Sequence, residues 1–560
     1  MANRTTWFSI PEWYGIQQHK DGTLLPPGTA YDARNIETGD GNLSTAKGFT
    51  AVSGIPAIPG LYYDKYVRLI MIPGESYIYV VREDSIFFCD TSAATPTWYD
   101  VYHLPDDTHF NWADHIQAKI GTKDALLIST GVQSILCFDV STGNIIPFAS
   151  GLYSFEGTVS AYDSSSLEVT LSSAPGAEAA RRCLAYGITI GDEFCEVDSV
   201  SSTKVYLKYA PNVAPEVGDA AKIRGGGSDA KVKFLEMYMN RLFASGDPDA
   251  PCRLYWSAVP GDGRTIADWL SVDGSYDASG GYVEVGDNDN DPIIGMKALS
   301  NQIIIWKRYS VWRLYGDRPS TFTLECIDRT SSFMCNSGVI TKYNTPYFLM
   351  PDGIYTYDGS NIVPVDGGNR ILRRFFELGP DVSNSRAVCC NNRFYLTCKL
   401  PKTPASTYDN AVIVYDVARG SYMIRDGFEI ADMTVVDSHI YMLTKGSNIV
   451  EFEKGTTYGG ANINTYWLSQ PMDFGTKMYR RQLIALFAHL KGDSVKVTAL
   501  GDHGNTLGTV VRDTIRDDYT TMRFQADQSY FVQLKFENIN GGTFSLLGGV
   551  NANAEFELKE

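Results

Sequence analysis

Seven stretches of the chain share one pattern, and this repetition constrains the fold more than any other feature. Each has an apolar run, a short polar turn and a second run rich in aromatic residues that ends near Asp or Gly. The clearest case is residues 301–316, NQIIIWKRYSVWRLYG, where two runs of β-branched and aromatic residues flank a polar tetrad. Such runs favour strands, and four residues suit a hairpin turn. The seven stretches are 67–90, 124–149, 240–259, 301–317, 345–365, 392–424 and 438–455.

Hairpins that recur without intervening helical patterns predict an all-β protein whose main body is a β-propeller of six to eight blades. Each blade of a propeller packs between two others, so its central strands can be apolar on both faces. The runs IIIW, VIVY and YFLM meet that need. A stack of β-sandwiches is the alternative.

The remaining segments differ from the repeats and predict three further parts. Residues 1–60 lack regular periodicity and predict an extended N-terminal arm, with a short strand and turn at Asn35–Asn42. Such an arm needs a partner surface, either the body of its own chain or a neighbouring subunit. The propeller is then expected over 61–150 and 228–469, interrupted at 151–227 by short alternating strands that predict an inserted small β-barrel. Alternating runs separated by turns over 470–560 predict a C-terminal β-sandwich.

The charge balance limits the partners of the protein. The formal net charge is −17, from 65 acidic and 48 basic residues. Proteins that coat DNA gain affinity by neutralising phosphates with Lys and Arg. The acidic composition argues against such a role, but it is compatible with a protein that lines a channel through which DNA slides without binding.

Targeting and redox signals indicate assembly in a cytoplasm. The first residues, MANRTTWFSIPEWYG, show no charged region followed by an apolar core, so we expect no signal peptide. We also expect no transmembrane helix, since no apolar run of the required length occurs. None of the ten cysteines forms a CxxC pair, and most lie in apolar runs. This distribution predicts buried free thiols in a reducing compartment, with neither zinc nor another cofactor.

One acidic loop is the candidate functional feature. Residues 286–291 read GDNDND, and we expect Asp287, Asp289 and Asp291 to face a channel. Calcium binding is an alternative for this spacing. The calcium loop of helix–loop–helix proteins, however, needs Gly where Pro292 stands and a bidentate Glu where Ala298 stands. A solvated acidic turn is the other alternative.

Other patterns give no catalytic residues and no metal site. His103, His109 and His115 are six residues apart, but their surroundings are typical of surface loops. The chain has no GxSxG, P-loop or HExxH motif. The many carboxylates leave a propeller-type glycan-degrading enzyme as an alternative function. The Trp and Tyr residues of the repeats favour core packing over a sugar-binding platform.

Two central segments resemble a family of virion proteins. Residues 240–270 and 281–317 are similar to the tail hub or nozzle proteins of short-tailed bacteriophages, also labelled packaged-DNA stabilisation proteins. Residues 25–49 resemble the opening segment of that family, and residues 529–550 resemble its closing sandwich. The matching positions are Asn240, Arg241, Phe243, Trp256, Trp269, Ile294, Gly295, Leu299, Ile305, Ser310, Val311, Trp312 and Gly316.

The resemblance implies a non-enzymatic structural protein of the phage tail. Members of the family form a ring, usually a hexamer, below the connector. By this resemblance the chain would extend the DNA conduit, retain packaged DNA and dock fibres or a tail tip. Its expected partners are copies of itself, portal or head–tail adaptor proteins, and fibre or tail-tip proteins. DNA would pass without specific binding. The expected location is the virion, after assembly in the host cytoplasm. A receptor- or carbohydrate-binding tail module is a further alternative.

Overall fold

The structure is a computed structural model of the chain. It describes residues 4–556 apart from 19–23, 61–65, 105–107, 121, 147, 149–152, 225–229, 262–263, 270–275, 287–288, 330–338, 343, 351–352, 366–376, 378–380, 382–384, 400–409, 445 and 475–478.

The first 51 residues contain strands, although the sequence predicts an extended arm. These strands are β1 (Arg4–Ile10), β2 (Ala30–Arg34), β3 (Ile36–Gly39), β4 (Asn42–Thr45) and β5 (Phe49–Ala51).

The first two blades follow, and a separate sheet with one helix interrupts the chain after them. Blade 1 contains β6 (Val67–Met71), β7 (Tyr77–Arg82), β8 (Ser85–Asp90) and β9 (Trp98–His103), and blade 2 contains β10 (Asp114–Ile120), β11 (Lys123–Ser129) and β12 (Leu136–Asp139). The insertion contains β13 (Tyr153–Asp163), β14 (Glu168–Leu171), α1 (Ala177–Tyr186), β15 (Ile188–Ile190), β16 (Glu193–Cys195), β17 (Val197–Ser201), β18 (Lys204–Leu207) and β19 (Ala220–Arg224).

Five more blades follow the insertion. Blade 3 contains β20 (Phe234–Tyr238), β21 (Arg241–Asp247), β22 (Ala250–Trp256) and β23 (Gly281–Glu284). Blade 4 contains β24 (Ile293–Ala298), β25 (Gln302–Lys307), β26 (Val311–Tyr315) and β27 (Thr323–Asp328). Blade 5 contains β28 (Ile340–Lys342), β29 (Thr345–Met350), β30 (Gly353–Tyr357) and β31 (Ile362–Pro364). Blade 6 contains β32 (Ala387–Cys390), β33 (Arg393–Lys399), β34 (Asn410–Asp416) and β35 (Ser421–Asp426), and blade 7 contains β36 (Ile430–Val436), β37 (His439–Thr444) and β38 (Ile449–Phe452).

The chain ends in further strands. They are β39 (Tyr466–Ser469), β40 (Arg481–Gly492), β41 (Val495–Leu500), β42 (Thr506–Arg512), β43 (Asp518–Arg523), β44 (Gln533–Glu537) and β45 (Phe544–Phe556).

These sheets confirm the predicted all-β class and the propeller. In the described part of the chain, seven antiparallel sheets follow the seven predicted repeats, each as a meander of neighbouring strands. Strand β25 shows why its run is continuously apolar. Ile303 and Ile305 pack with blade 3, whereas Ile304 and Trp306 pack with blade 5. Alternate side chains of one strand therefore fill two interblade cores, as the period of two requires.

Blade 7 closes the ring with a strand from the other end of the chain. Strand β5 pairs with β38 as the outermost strand of this blade, with Phe49 opposite Phe452. On the inner side, the Asp432 carboxylate accepts a hydrogen bond from the Leu69 N–H at 2.6 Å, which joins blade 7 to blade 1. Closure thus uses residues more than 350 positions apart.

The insertion is a strongly curved sheet around its own core. Its strand order is β16-β15-β19-β13-β14-β18-β17. The two end strands are consecutive in sequence, with Glu196 between them, so the sheet bends into a barrel-like shape. Helix α1 was not predicted; it covers the core through Ala179 and Cys183.

The C-terminal sandwich is built from both ends of the chain. Strand β45 pairs with β1 and β4 on one side and with β40 on the other, and β2 pairs with β39 in the second sheet. The first residues therefore lie against the body of their own chain, one of the two partners predicted for the arm, and the predicted strand and turn at Asn35–Asn42 is the β3–β4 hairpin. They are paired strands and not an extended arm, and the sandwich is not confined to 470–560. Apart from the local β3–β4 hairpin, these are short strands whose partners lie more than 400 residues away, so sequence reasoning could not detect their pairing.

Candidate functional site

The acidic loop between blades 3 and 4 contains an ion pair with a buried lysine. Lys307 is fully buried at the end of β25, and its Nζ donates to the Val285 carbonyl at 2.7 Å and to the Asp289 carboxylate. Burial alone would raise the pKa of Asp289, but the hydrogen bonds from Lys307 and from backbone N–H groups, together with the charge of Lys307, outweigh it and the pKa is lowered. Gly286 allows this approach, since a Cβ there would lie 2.8 Å from Lys307 Nζ.

Asp291 caps the turn of the next hairpin. Its carboxylate accepts the backbone N–H groups of Arg308 and Tyr309 at 2.9 and 3.0 Å, and the Ser310 hydroxyl at 3.4 Å. A carboxylate that satisfies several donors of one turn stabilises that turn. Ser310, a position of the family resemblance, also accepts a hydrogen bond from Trp312 Nε1 at 3.0 Å.

These contacts give two of the three predicted site residues structural roles. Asp289 compensates a buried cation and Asp291 caps a turn, while Asp287 lies outside the described residues. Sequence reasoning missed Lys307, although a lysine that directly follows the apolar run IIIW was a signal for a buried charge in need of a partner.

Charged residues on the inner strands pair at the centre of the propeller. Asp432 on β36 is fully buried and lies 3.1 Å from Arg386 Nε and 3.4 Å from Arg68 Nη1. Removing a charged group from water costs free energy, and pairing with an opposite charge offsets that cost. This cluster connects blades 6, 7 and 1.

A second ion pair connects blades 3 and 4 at the centre. Lys297 Nζ lies 2.5 Å from Glu236 Oε1. Burial, followed by the positive charges of Arg68 and Lys297, lowers the pKa of His115 on blade 2 to about 3. Charged side chains on the first strands of blades 1, 3, 4 and 7 therefore pair at the centre of the propeller.

A cavity opens beside this centre, among blades 1, 6 and 7. Its volume is about 480 Å³, which lies within the range of small-molecule sites. Its lining combines acidic and basic side chains with the aromatic rings of Tyr66 and Phe110. The lining residues include Tyr66, Glu83, His109, Phe110, Asp381, Arg386 and Lys399.

The three evenly spaced histidines are not brought together by the described contacts. His103 on β9 contacts the Ser85 hydroxyl at 2.9 Å, His109 lines the cavity, and His115 lies on β10. No group of three or more potential metal ligands occurs among the residues that the structure describes. Within the same residues, no helix is long and apolar enough to cross a membrane.

The residues that carry the family resemblance maintain the fold of blades 3 and 4. Arg241 is fully buried, and its guanidinium donates to the carbonyls of Ser257 and Ser279 at 2.6 and 2.7 Å. These bonds hold the long loop between β22 and β23 against β21. Asn240 has a φ of 58°, a conformation that tight hairpin turns require and that Asn tolerates.

Comparisons with known proteins give only weak structural likenesses. No protein-family profile matches the chain, and no curated protein sequence matches it significantly. Among solved structures, it is similar to the Nup170 N-terminal domain in a Nup170–Nup53 complex from Chaetomium thermophilum, with 10% identity, a TM-score of 0.33 and coverage of 79% of this chain and 64% of that chain. The Pan2 WD40 domain of Neurospora crassa shows 8% identity, a TM-score of 0.27 and coverage of 73% and 94%. Apo AztD from Citrobacter koseri shows 11% identity, a TM-score of 0.30 and coverage of 76% and 96%. Likenesses this weak carry no argument, so the blade count rests on the strand pairing.

Proposed function

We propose that this chain is a structural subunit of a bacteriophage tail, a nozzle or hub protein that forms a ring and extends the DNA conduit. The observation that carries the proposal is the resemblance of both ends and the middle of the sequence to tail hub proteins. Two of the matching positions in the middle of the chain make structural contacts. The buried Arg241 guanidinium donates to a backbone carbonyl, and the Ser310 hydroxyl donates to the Asp291 carboxylate that caps its turn. The proposed role is to retain packaged DNA and to dock fibres or a tail tip.

The paired charges at the centre of the propeller support a conduit formed between subunits. Ion pairs such as Lys297–Glu236 and Arg386–Asp432 occupy the middle of the blades. A duplex would therefore pass along the axis of a ring of copies, usually six in the family, and not through one propeller. The net charge of −17 per chain favours a wall that repels phosphates and releases its cargo.

The interlocked chain ends support a load-bearing role. Strand β5 completes blade 7, and β1 to β4 complete the sandwich. The first 51 residues therefore complete both the propeller and the sandwich. Asp287, Asp289 and Asp291 stay proposed as channel-facing, although the charge of Asp289 is partly compensated by Lys307.

The first test is the mass of the purified protein by size-exclusion chromatography with light scattering. The proposal predicts a closed oligomer near six times the monomer mass, with no release of reducing sugar from bacterial surface polysaccharides. A strict monomer that releases sugar would support the alternative of a glycan-degrading propeller and contradict the proposal.

A further inference from the structure

An exposed row of aromatic side chains crosses the outer face of the sandwich sheet formed by β1, β45, β40 and β43. Trp7 and Phe487 have ring centroids 5.5 Å apart, and His489 and Tyr519 have centroids 4.8 Å apart. Phe487 and His489 are two residues apart on β40, so they share one face. Trp7 and Tyr519 are 61% and 81% exposed. We call these four residues the aromatic row.

The strand register shows that the row is continuous and runs diagonally. One register position crosses all four strands, from Ser9 on β1 through Asn551 on β45 and Phe487 on β40 to Thr521 on β43. Trp7 lies two residues before Ser9 on β1 and faces the same side of the sheet. On the far side, His489 lies opposite Tyr519. With strands about 4.8 Å apart, the row spans roughly 14 Å. Outward polar groups, including Asn551 and Thr521, lie along it.

The local charge argues against nucleic acid as the occupant. Asp517 accepts a hydrogen bond from His489 Nε2 at 2.8 Å and lies 3.4 Å from Lys491 Nζ, so the charges beside the row compensate one another. Single-stranded nucleic acid also stacks on aromatic rings, but it needs a positively charged groove for its backbone. The chain as a whole carries −17.

The size of the row argues against a second copy of the chain or another protein. A stable interface buries about 800 Å² on each partner. Four aromatic side chains that already rest on their own sheet expose roughly half of that area or less. A narrow, uncharged ligand with flat apolar faces and hydroxyl groups fits the row better.

We infer that the aromatic row is a binding site for a linear, uncharged saccharide. The rings of Trp7, Phe487 and Tyr519 would stack on the C–H faces of successive sugar units, and the amide of Asn551 would bond hydroxyl groups. This site lies apart from the cavity at the propeller centre. The inference does not depend on the proposed tail role.

The test is binding of cellohexaose, maltohexaose and chitohexaose to the full chain, measured by calorimetry and by acrylamide quenching of Trp fluorescence. At least one of the three should bind and protect Trp7, which is the most exposed tryptophan among the described residues. Trp7→Ala and Tyr519→Ala should each weaken binding about ten-fold or more, whereas Trp7→Phe should retain most of it. Tyr276→Ala, at a tyrosine that is 61% exposed in the loop between β22 and β23, is the control.

Three results would overturn the inference. The first is that none of the three saccharides binds at millimolar concentration, and the second is that Trp7→Ala binds as the unaltered chain does. The third is that the row binds a thymidine oligonucleotide, or a second copy of the chain as shown by light scattering, and that Trp7→Ala abolishes this binding. Circular dichroism of each variant ensures that a loss of binding reflects the row and not unfolding.

Discussion

Arg182 on the inserted domain and Asp268 on the long loop of blade 3 form a buried ion pair, with Nη1 and Oδ1 2.5 Å apart. Asp268 also accepts the Thr265 N–H at 2.7 Å, so its carboxylate both orders the loop of blade 3 and anchors the insertion. The insertion is therefore docked on the propeller and not merely tethered to it.

This pair predicts an asymmetry between variants. Arg182→Met leaves a buried carboxylate without its cation and should destabilise the protein by about 3 kcal/mol. The double variant Arg182→Met with Asp268→Asn should recover part of that loss, since no buried charge remains. Urea midpoints with matched slopes measure both effects. Equal midpoints for Arg182→Met and the unaltered chain would show that the pair does not anchor the insertion.

The same pair changes what deletion of the insertion should do. Removal of residues 151–227 with a short Gly/Ser linker exposes Asp268 to a new environment. Water can solvate the uncovered carboxylate, so we expect the deletion to be soluble and β-rich, and Asp268→Asn to add no stability to it. A deletion that folds only with Asp268→Asn would contradict this expectation.

The sandwich should fold only when both chain ends are present. Residues 462–560 alone lack β1 to β4, so β45 and β39 each lose the partner on one edge while keeping β40 and β44 on the other, and apolar surface is exposed. We expect a poorly dispersed amide NMR spectrum for this fragment and a dispersed one after addition of residues 4–46. A dispersed spectrum for 462–560 alone would contradict the interlocked sandwich.

Protonation of His115 should couple stability to pH. The folded pKa of about 3 lies below the ordinary value of 6.5, because burial and the cations Arg68 and Lys297 disfavour the imidazolium. As the pH falls below 6.5, the unfolded chain binds a proton that the folded chain does not, so this contribution to stability is lost between pH 6.5 and 3.

The matched variant His115→Gln removes that dependence. Relative to His115→Gln, the unaltered chain should lose up to about 2 kcal/mol of unfolding free energy between pH 7 and pH 4.5. Urea denaturation at the two pH values measures the difference. Parallel losses in both proteins would show that His115 titrates in the folded state much as it does when unfolded.

The acidic loop should contribute to stability as well as to any channel surface. Asp289→Asn removes the countercharge of the fully buried Lys307, and Asp291→Ala removes the cap of the turn at 308–310. We expect losses of about 1–3 kcal/mol for each. The exposed control Asp249→Asn should change little. Thermal midpoints equal to the unaltered chain would contradict these roles.

The structural roles of Asp289 and Asp291 also decide which variant can test the channel. A triple lysine variant of Asp287, Asp289 and Asp291 would combine misfolding with any change in DNA passage. Asp287→Lys alone is the sharper variant, with the rate of DNA ejection from assembled particles as the measurement. Ejection at the unaltered rate would contradict a channel-facing position for Asp287.

The sequence predicted the parts of the fold that local patterns encode. Strand β25 could be predicted because Ile303 to Trp306 are apolar on both faces, and similar apolar runs predicted strands in all seven blades. Phe49 to Ala51 could not be assigned to blade 7, since a three-residue strand has no measurable period and its partner Phe452 lies 400 positions away. Helix α1 was missed because AEAARRCLAY is short and lies among strand-like segments.

The candidate site was predicted less completely, for a related reason. The spacing of Asp287, Asp289 and Asp291 marks an acidic loop, but the partners of Asp289 and Asp291 come from the next hairpin and from a buried lysine. Nor could sequence patterns reveal that Arg68, Asp432 and Arg386 meet at the centre, since they come from three different blades. Contacts of this kind depend on closure of the ring.

The most direct test of the central claim is electron microscopy of the purified oligomer in negative stain. Subunits of a tail nozzle should give closed rings with a central opening wide enough for a DNA duplex, and the propellers should surround that opening. Particles that remain single propellers at micromolar concentration, or that assemble without an axial opening, would contradict the account.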